Sequence, residues 1–150
     1  MLAELLAPHS KKYICLDSSA KVVMAASERL RKLPHVEVIE GDMQALPFEN
    51  SRFDLVLLMH ALTYADKPAL AIAEAGRVLK KNGQLLLACL AKHEHRAAVT
   101  PFGHVNLGFT EKELRKFADK AGLEVLVCEA VTREKRPPHF EVLTLLARKA

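Results

Sequence analysis

Tyr13-Ile14-Cys15-Leu16-Asp17 and Val36-Glu37-Val38-Ile39-Glu40-Gly41-Asp42 decide how this chain is read. Asp17 closes the first short apolar strand, and Asp42 follows the second, Val36–Glu40. In open α/β sheets, ligands sit in the crevice beyond the carboxyl ends of the strands, where an acid can grip the ribose or base of a nucleotide-like cofactor. In the dinucleotide-binding fingerprint a glycine-rich turn lies about 20 residues before the ribose acid. Counting back about that far from Asp17 passes the first residue, and the first glycine is Gly41. The expectation is a cofactor-binding domain that begins just after its cofactor loop.

Outward from these two runs, the chain alternates strand and helix. Residues 1–7 read as the tail of a helix, with Leu2, Leu5 and Leu6 on one face, stopped near Pro8. Ser18 or Ser19 can cap a helix to about Leu33, its inner face formed by Val23, Ala26, Leu30 and Leu33, before Pro34. The unalternating run Phe53–Met59 reads as a strand covered on both faces. Asp66 is a candidate cap for a helix to Lys80, and Asn82-Gly83 turns the chain into strand Gln84–Leu90. A looser segment, Ala91–Phe109, follows. Thr110-Glu111-Lys112-Glu113 is a capping box, opening a helix that Gly122 ends. Strands Leu123–Val131 and Phe140–Arg148 close the chain, joined by a charged loop with Pro137-Pro138 that sets the start of the last strand. The expected fold is α/β: a doubly wound, mostly parallel sheet with a C-terminal antiparallel hairpin.

At 150 residues, half of them hydrophobic and 27% charged, the chain has the make-up of one globular domain over residues 1–150. No apolar run approaches the roughly 18 residues of a membrane span. The N-terminus lacks the order of a signal peptide, so a cytoplasmic chain is expected. Cys15, Cys89 and Cys128 are widely spaced and read as small core residues rather than a disulfide frame or zinc ribbon. The net charge of +4 is scattered, aromatics are 5% and Trp is absent, which argues against direct nucleic-acid binding. His93-Glu94-His95, with His104 nearby, could chelate, but the spacing is not that of a metal site. A polar lid over the crevice is the better reading, and no metal is expected.

Taken together, Leu16-Asp17-Ser18-Ser19, Gly41-Asp42-Met43-Gln44-Ala45-Leu46-Pro47-Phe48, Phe53-Asp54-Leu55-Val56, Ala73–Gly83 and Leu107-Gly108-Phe109-Thr110 carry a resemblance. The chain resembles the class I S-adenosylmethionine-dependent methyltransferases of ubiquinone and menaquinone biosynthesis. It is particularly similar to methyltransferase domains fused behind winged-helix repressors of the arsenical-resistance type. The resemblance implies a Rossmann-like sheet of order 3-2-1-4-5-7-6 in the family's own counting, whose central first strand and glycine loop have no counterpart here. Strand Tyr13–Asp17 is then expected to pair directly with Phe53–Met59, or the gap to be filled by another chain through dimerisation or strand exchange.

The resemblance also implies S-adenosylmethionine as cofactor. Asp17 would accept from both ribose hydroxyls, its alternative role being a helix-entry cap. Ser18 joins the cofactor-binding set. Asp42 would receive the adenine amino group, with Met43 against the ring; the alternative for Asp42 is an Asx turn. His60 would lie near the sulfonium or the substrate, or be structural. Methyl transfer needs alignment and water exclusion rather than a covalent intermediate, so no catalytic residue is named. The implied function is methyl transfer to a small-molecule acceptor. The alternative is a non-catalytic module kept for regulation or association. With only the ribose and adenine acids in place, binding by this chain is expected in the high micromolar range or weaker.

Overall fold

Two parallel strands, β1 (Tyr13–Asp17) and β2 (Val36–Glu40), form the first sheet of the computed structural model, which describes residues 2–150. Between them runs α2 (Ala20–Leu30). Ser19 caps it, its hydroxyl accepting from the Val22 amide at 3.4 Å, and Val23, Ala26 and Leu30 form its covered face. The helix stops three residues short of Leu33. The residue before a proline disfavours helical backbone, and here Leu33 N–H turns back to Leu30 O at 2.9 Å ahead of Pro34. The short α1 (Leu2–Leu6) realises the expected N-terminal helix, Met1 lying outside the described residues. The Arg29 guanidinium donates to both Glu4 oxygens, at 2.8 and 3.0 Å, and ties α1 to α2.

The chain divides after Pro47 into a second compact unit, residues 48–150. Its sheet has β3 (Phe53–Met59), β4 (Leu79–Leu90), β6 (Glu141–Lys149) and β5 (Leu123–Arg133) in the spatial order β3-β4-β6-β5. β3 and β4 are parallel, while β6 runs antiparallel to both its neighbours, so the expected C-terminal hairpin forms. α3 (Pro68–Val78) connects β3 to β4, the short α4 (Arg96–Val99) lies in the loop after β4, and α5 (Glu111–Lys120) precedes β5. Alternate residues Leu85, Leu87 and Cys89 of β4 and Leu143, Leu145 and Ala147 of β6 point into the core, with Ile72 from α3 and Leu114 from α5. The Thr110 hydroxyl accepts from Glu113 N–H at 3.1 Å, as the capping box requires.

Several expectations need correction. β1 does not pair with β3: the one is bonded to β2, the other to β4. β3 is therefore an edge strand of its sheet, and it is not covered on both faces, Leu55 being 48% exposed. Asp66 does not cap α3; Lys67 stands at the cap position, with Pro68 in the first turn. α3 ends at Val78 rather than Lys80 because Leu79 is already extended and paired with Phe53. The Asn82-Gly83 turn is then taken up as an irregularity inside β4, where pairing shifts from Phe53–Leu79 to Leu55–Gln84.

Candidate functional site

Parallel pairing brings Asp17 and Asp42 to the same end of the first sheet. Asp17 stands opposite Glu40, and Gly41 N–H extends the ladder to Asp17 O at 3.0 Å, leaving Asp42 just beyond the strand ends. Each carboxylate spends one oxygen on its own loop. Asp17 Oδ1 accepts from Ser19 N–H at 2.8 Å, and Asp42 Oδ1 from Gln44 N–H at 2.8 Å. Both carboxylates thus close Asx turns, and the helix cap is Ser19 rather than Asp17. The turns are also compatible with ligand binding, because a carboxylate has two oxygens. The Oδ2 atoms of Asp17 and Asp42 have no hydrogen-bond partner among the described residues. Ser18 is exposed beside Asp17, and Met43 is half-buried beside Asp42. Each carboxylate is held in place through one oxygen and offers the other as a hydrogen-bond acceptor.

His60 belongs to the second unit, at the carboxyl end of β3. It is exposed and its φ is +54°, a left-handed conformation that non-glycine residues seldom adopt. Its amide donates to Ala88 O at 2.8 Å, and its carbonyl accepts from the buried Thr63 hydroxyl at 3.4 Å. Thr63 O in turn receives Val105 N–H at 2.8 Å, while Asn106 Nδ2 donates to Leu62 O and Ala65 O at 2.8 and 2.9 Å. The loop after β3 and the segment Ala91–Phe109 are thereby one hydrogen-bonded assembly.

The segment leaves β4 and returns to it. Phe109 N–H donates to Leu90 O at 3.0 Å, Lys92 N–H to Phe109 O at 3.0 Å, and His93 N–H to Leu107 O at 2.9 Å. Gly108, at φ +78°, makes this closure possible, since a Cβ there would overlap the Ala91 carbonyl. Inside the loop, His93 packs against Phe140 (ring centroids 4.6 Å apart) and stacks with His95 at 5.8 Å. Burial, with the neighbouring His95 and His104, holds the His93 imidazole below its ordinary pKa. Among the described residues, these histidines do not join other ligating groups into a cluster that could hold a metal ion. Arg133, His139 and Phe140 were absent from the sequence-based site. Only the β5–β6 hairpin and its register with β4 carry them to His93, and no local signal marks that meeting.

Comparison with known proteins agrees with this geometry. The family described as "Methyltransferase domain" matches residues 1–87. A 37.1 kDa protein of transposon TN4556 from Streptomyces fradiae is 40% identical over 86 residues, covering 57% of this chain and 25% of that protein. The demethylmenaquinone methyltransferase of Renibacterium salmoninarum is 40% identical over 58 residues, 39% of this chain and 24% of the enzyme. The chain therefore spans about a quarter of the length of these curated relatives. Among solved structures, the N-methyltransferase NodS from Bradyrhizobium japonicum WM9, in complex with S-adenosyl-L-homocysteine, superposes with a TM-score of 0.76 at 19% identity. It covers 98% of this chain and 71% of NodS, and at that identity it speaks to the fold alone. With the Rossmann-like topology, these matches assign the family: the chain belongs to the methyltransferase-domain family.

Proposed function

We propose that residues 1–150 form one methyltransferase domain that binds S-adenosylmethionine and directs its methyl group to a small-molecule acceptor. The observation that carries this reading is the pair of strand-end carboxylates, each with one oxygen occupied by its loop and one unpartnered. Asp17 binds the ribose hydroxyls, with Ser18 beside it, and Asp42 takes the adenine amino group, with Met43 against the ring. His60 sits on the acceptor side. The cofactor supplies an electrophilic methyl group. The chain's own residues bind, orient and exclude water.

Among the described residues no helix is long and apolar enough to cross a membrane, in keeping with a cytoplasmic chain acting on a small molecule. The free edge of β3 supports association with a strand of a second chain, since an open apolar edge invites pairing. Calorimetric titration with S-adenosylhomocysteine tests the cofactor reading. Saturable one-site binding, with a dissociation constant around 100 μM or weaker, corresponding to about 5.5 kcal/mol or less, is expected. Absence of both heat and thermal stabilisation at millimolar ligand would remove the cofactor reading and leave a methyltransferase-like module without a donor.

A further inference from the structure

The mouth of the loop that follows β4 meets the turn end of the β5–β6 hairpin, and a hollow of about 250 Å³ lies between them. Its wall is rich in hydrogen-bond donors: Lys92, His93, His95, Arg133 and His139 face a single carboxylate, Glu141. That carboxylate approaches Arg133 at 3.4 Å, in a pair whose side chains are 67% and 44% exposed and therefore easily exchanged. Lys92 has a similarly exposed contact with Glu113, at 3.6 Å. Pro138 and Phe140 supply an apolar side.

The decisive atom is His93 Nε2. The His95 amide donates to His93 Nδ1 at 3.0 Å. An imidazole that accepts at Nδ1 carries its proton on Nε2 when neutral. Burial and the neighbouring His95 and His104 keep the ring neutral. His93 Nε2 is thus an N–H donor, and it is buried without an acceptor. A buried donor without a partner is unfavourable, so an oxygen brought to it is favoured. Nε2 is shielded from water, so an oxygen reaches it only as the side chains around it shift.

We propose that this hollow recognises the carboxylate of an organic acid, the methyl acceptor of the reaction inferred above, through His93 Nε2–H and the Arg133 guanidinium. The planar guanidinium fork matches a carboxylate's two oxygens. The apolar side at Pro138 and Phe140 favours an organic body over a bare inorganic anion. The proposal rests on the methyltransferase reading for the role of the ligand, but not for its binding.

The test is an NMR titration of the full chain, following the imidazole nitrogens, with benzoate as probe and inorganic phosphate in a parallel arm. The same samples are titrated with S-adenosylhomocysteine. Benzoate should bind at millimolar concentration and move the His93, His95 and His139 signals. Arg133→Gln and His93→Asn should each weaken it at least fivefold without altering affinity for S-adenosylhomocysteine. Benzoate should bind equally well to the protein saturated with S-adenosylhomocysteine. No shift, or shifts that persist unchanged in both variants, would overturn the site. Phosphate binding as tightly as benzoate would overturn the carboxylate assignment, and mutual exclusion with S-adenosylhomocysteine would overturn the acceptor role. Benzoate binding without any response to S-adenosylhomocysteine would instead count against the cofactor reading while the hollow stands.

Discussion

Asp17 holds its turn through one oxygen, the other being the one proposed to bind the ribose, and substitution can separate the two. Asp17→Asn keeps an acceptor for Ser19 N–H, so folding should change little, whereas replacing the free Oδ2 should weaken S-adenosylhomocysteine binding. Asp17→Ala removes both, and should cost roughly 1.5–3 kcal/mol of binding, one to two powers of ten, the scale of hydrogen bonds to a charged group. Equal calorimetric affinity in wild type and both variants would leave Asp17 with its turn to Ser19 alone. The thiols give a second residue-scale prediction. Burial, reinforced by Cys128, pushes the Cys89 thiol up to about 12. Only the thiolate reacts, and at pH 8 about one in ten thousand such groups is ionised. Iodoacetamide at pH 8 should leave Cys89 unmodified in the folded protein and label it after denaturation, which peptide mass mapping checks.

The loop Ala91–Phe109 is an element in its own right, closed at its neck and pinned to the turn Leu62–Tyr64. Gly108→Ala should loosen it. The left-handed backbone alone costs a side chain about 1–3 kcal/mol, and the new Cβ would drive apart Gly108 and the Ala91 carbonyl. Hydrogen exchange at Lys92, His93 and Phe109 should accelerate far more than exchange along β1 and β2; uniform acceleration would mean global destabilisation instead. The same loop should respond to acid. His93 has a lowered pKa, because burial and then His95 and His104 disfavour its charged form. Its folded-state value thus lies below its unfolded value, so the unfolded chain binds the extra proton more readily. The stability it contributes is present above the ordinary histidine pKa of about 6.5 and is lost as pH falls through the lower, folded value. Protection at Val105 and Asn106, with exchange rates referred to their intrinsic values at each pH, should therefore fall on acidification below the ordinary histidine pKa of about 6.5, an effect that His93→Asn should abolish.

At the scale of the molecule, the most consequential feature is the edge of β3. A strand of seven residues without polar alternation, half exposed and bonded on one side, is a site for pairing with another strand. The chain should self-associate with rising concentration in light scattering after gel filtration. Leu55→Lys, at a position already 48% exposed, should shift it toward monomer with a stability change within about 0.5 kcal/mol. Identical elution of the two proteins would locate association elsewhere. Ligand binding tests the proposed single domain as well: S-adenosylhomocysteine should raise the unfolding temperature of residues 2–47 and 48–150 together rather than of one unit alone.

What the sequence determined by itself was local in origin. The limits of β1, β2 and β3 agree to the residue with their apolar runs. Ser19 and Thr110 cap the helices they precede, because a hydroxyl reaching an amide three residues on needs nothing from the rest of the chain. The strand-end acids were legible for the same reason. Tertiary structure decided the rest. α3 gave up its last turn because pairing of Leu79 with Phe53 begins there. β3 looked like a central strand, yet its exposure depends on which neighbours its edge and faces receive. The donor on His93 emerged only when the hairpin register set Phe140 against its ring and the loop turned His95 N–H onto its Nδ1. Periodicity and capping are short-range properties; register, burial and tautomer are set by partners that the fold brings from elsewhere in the chain.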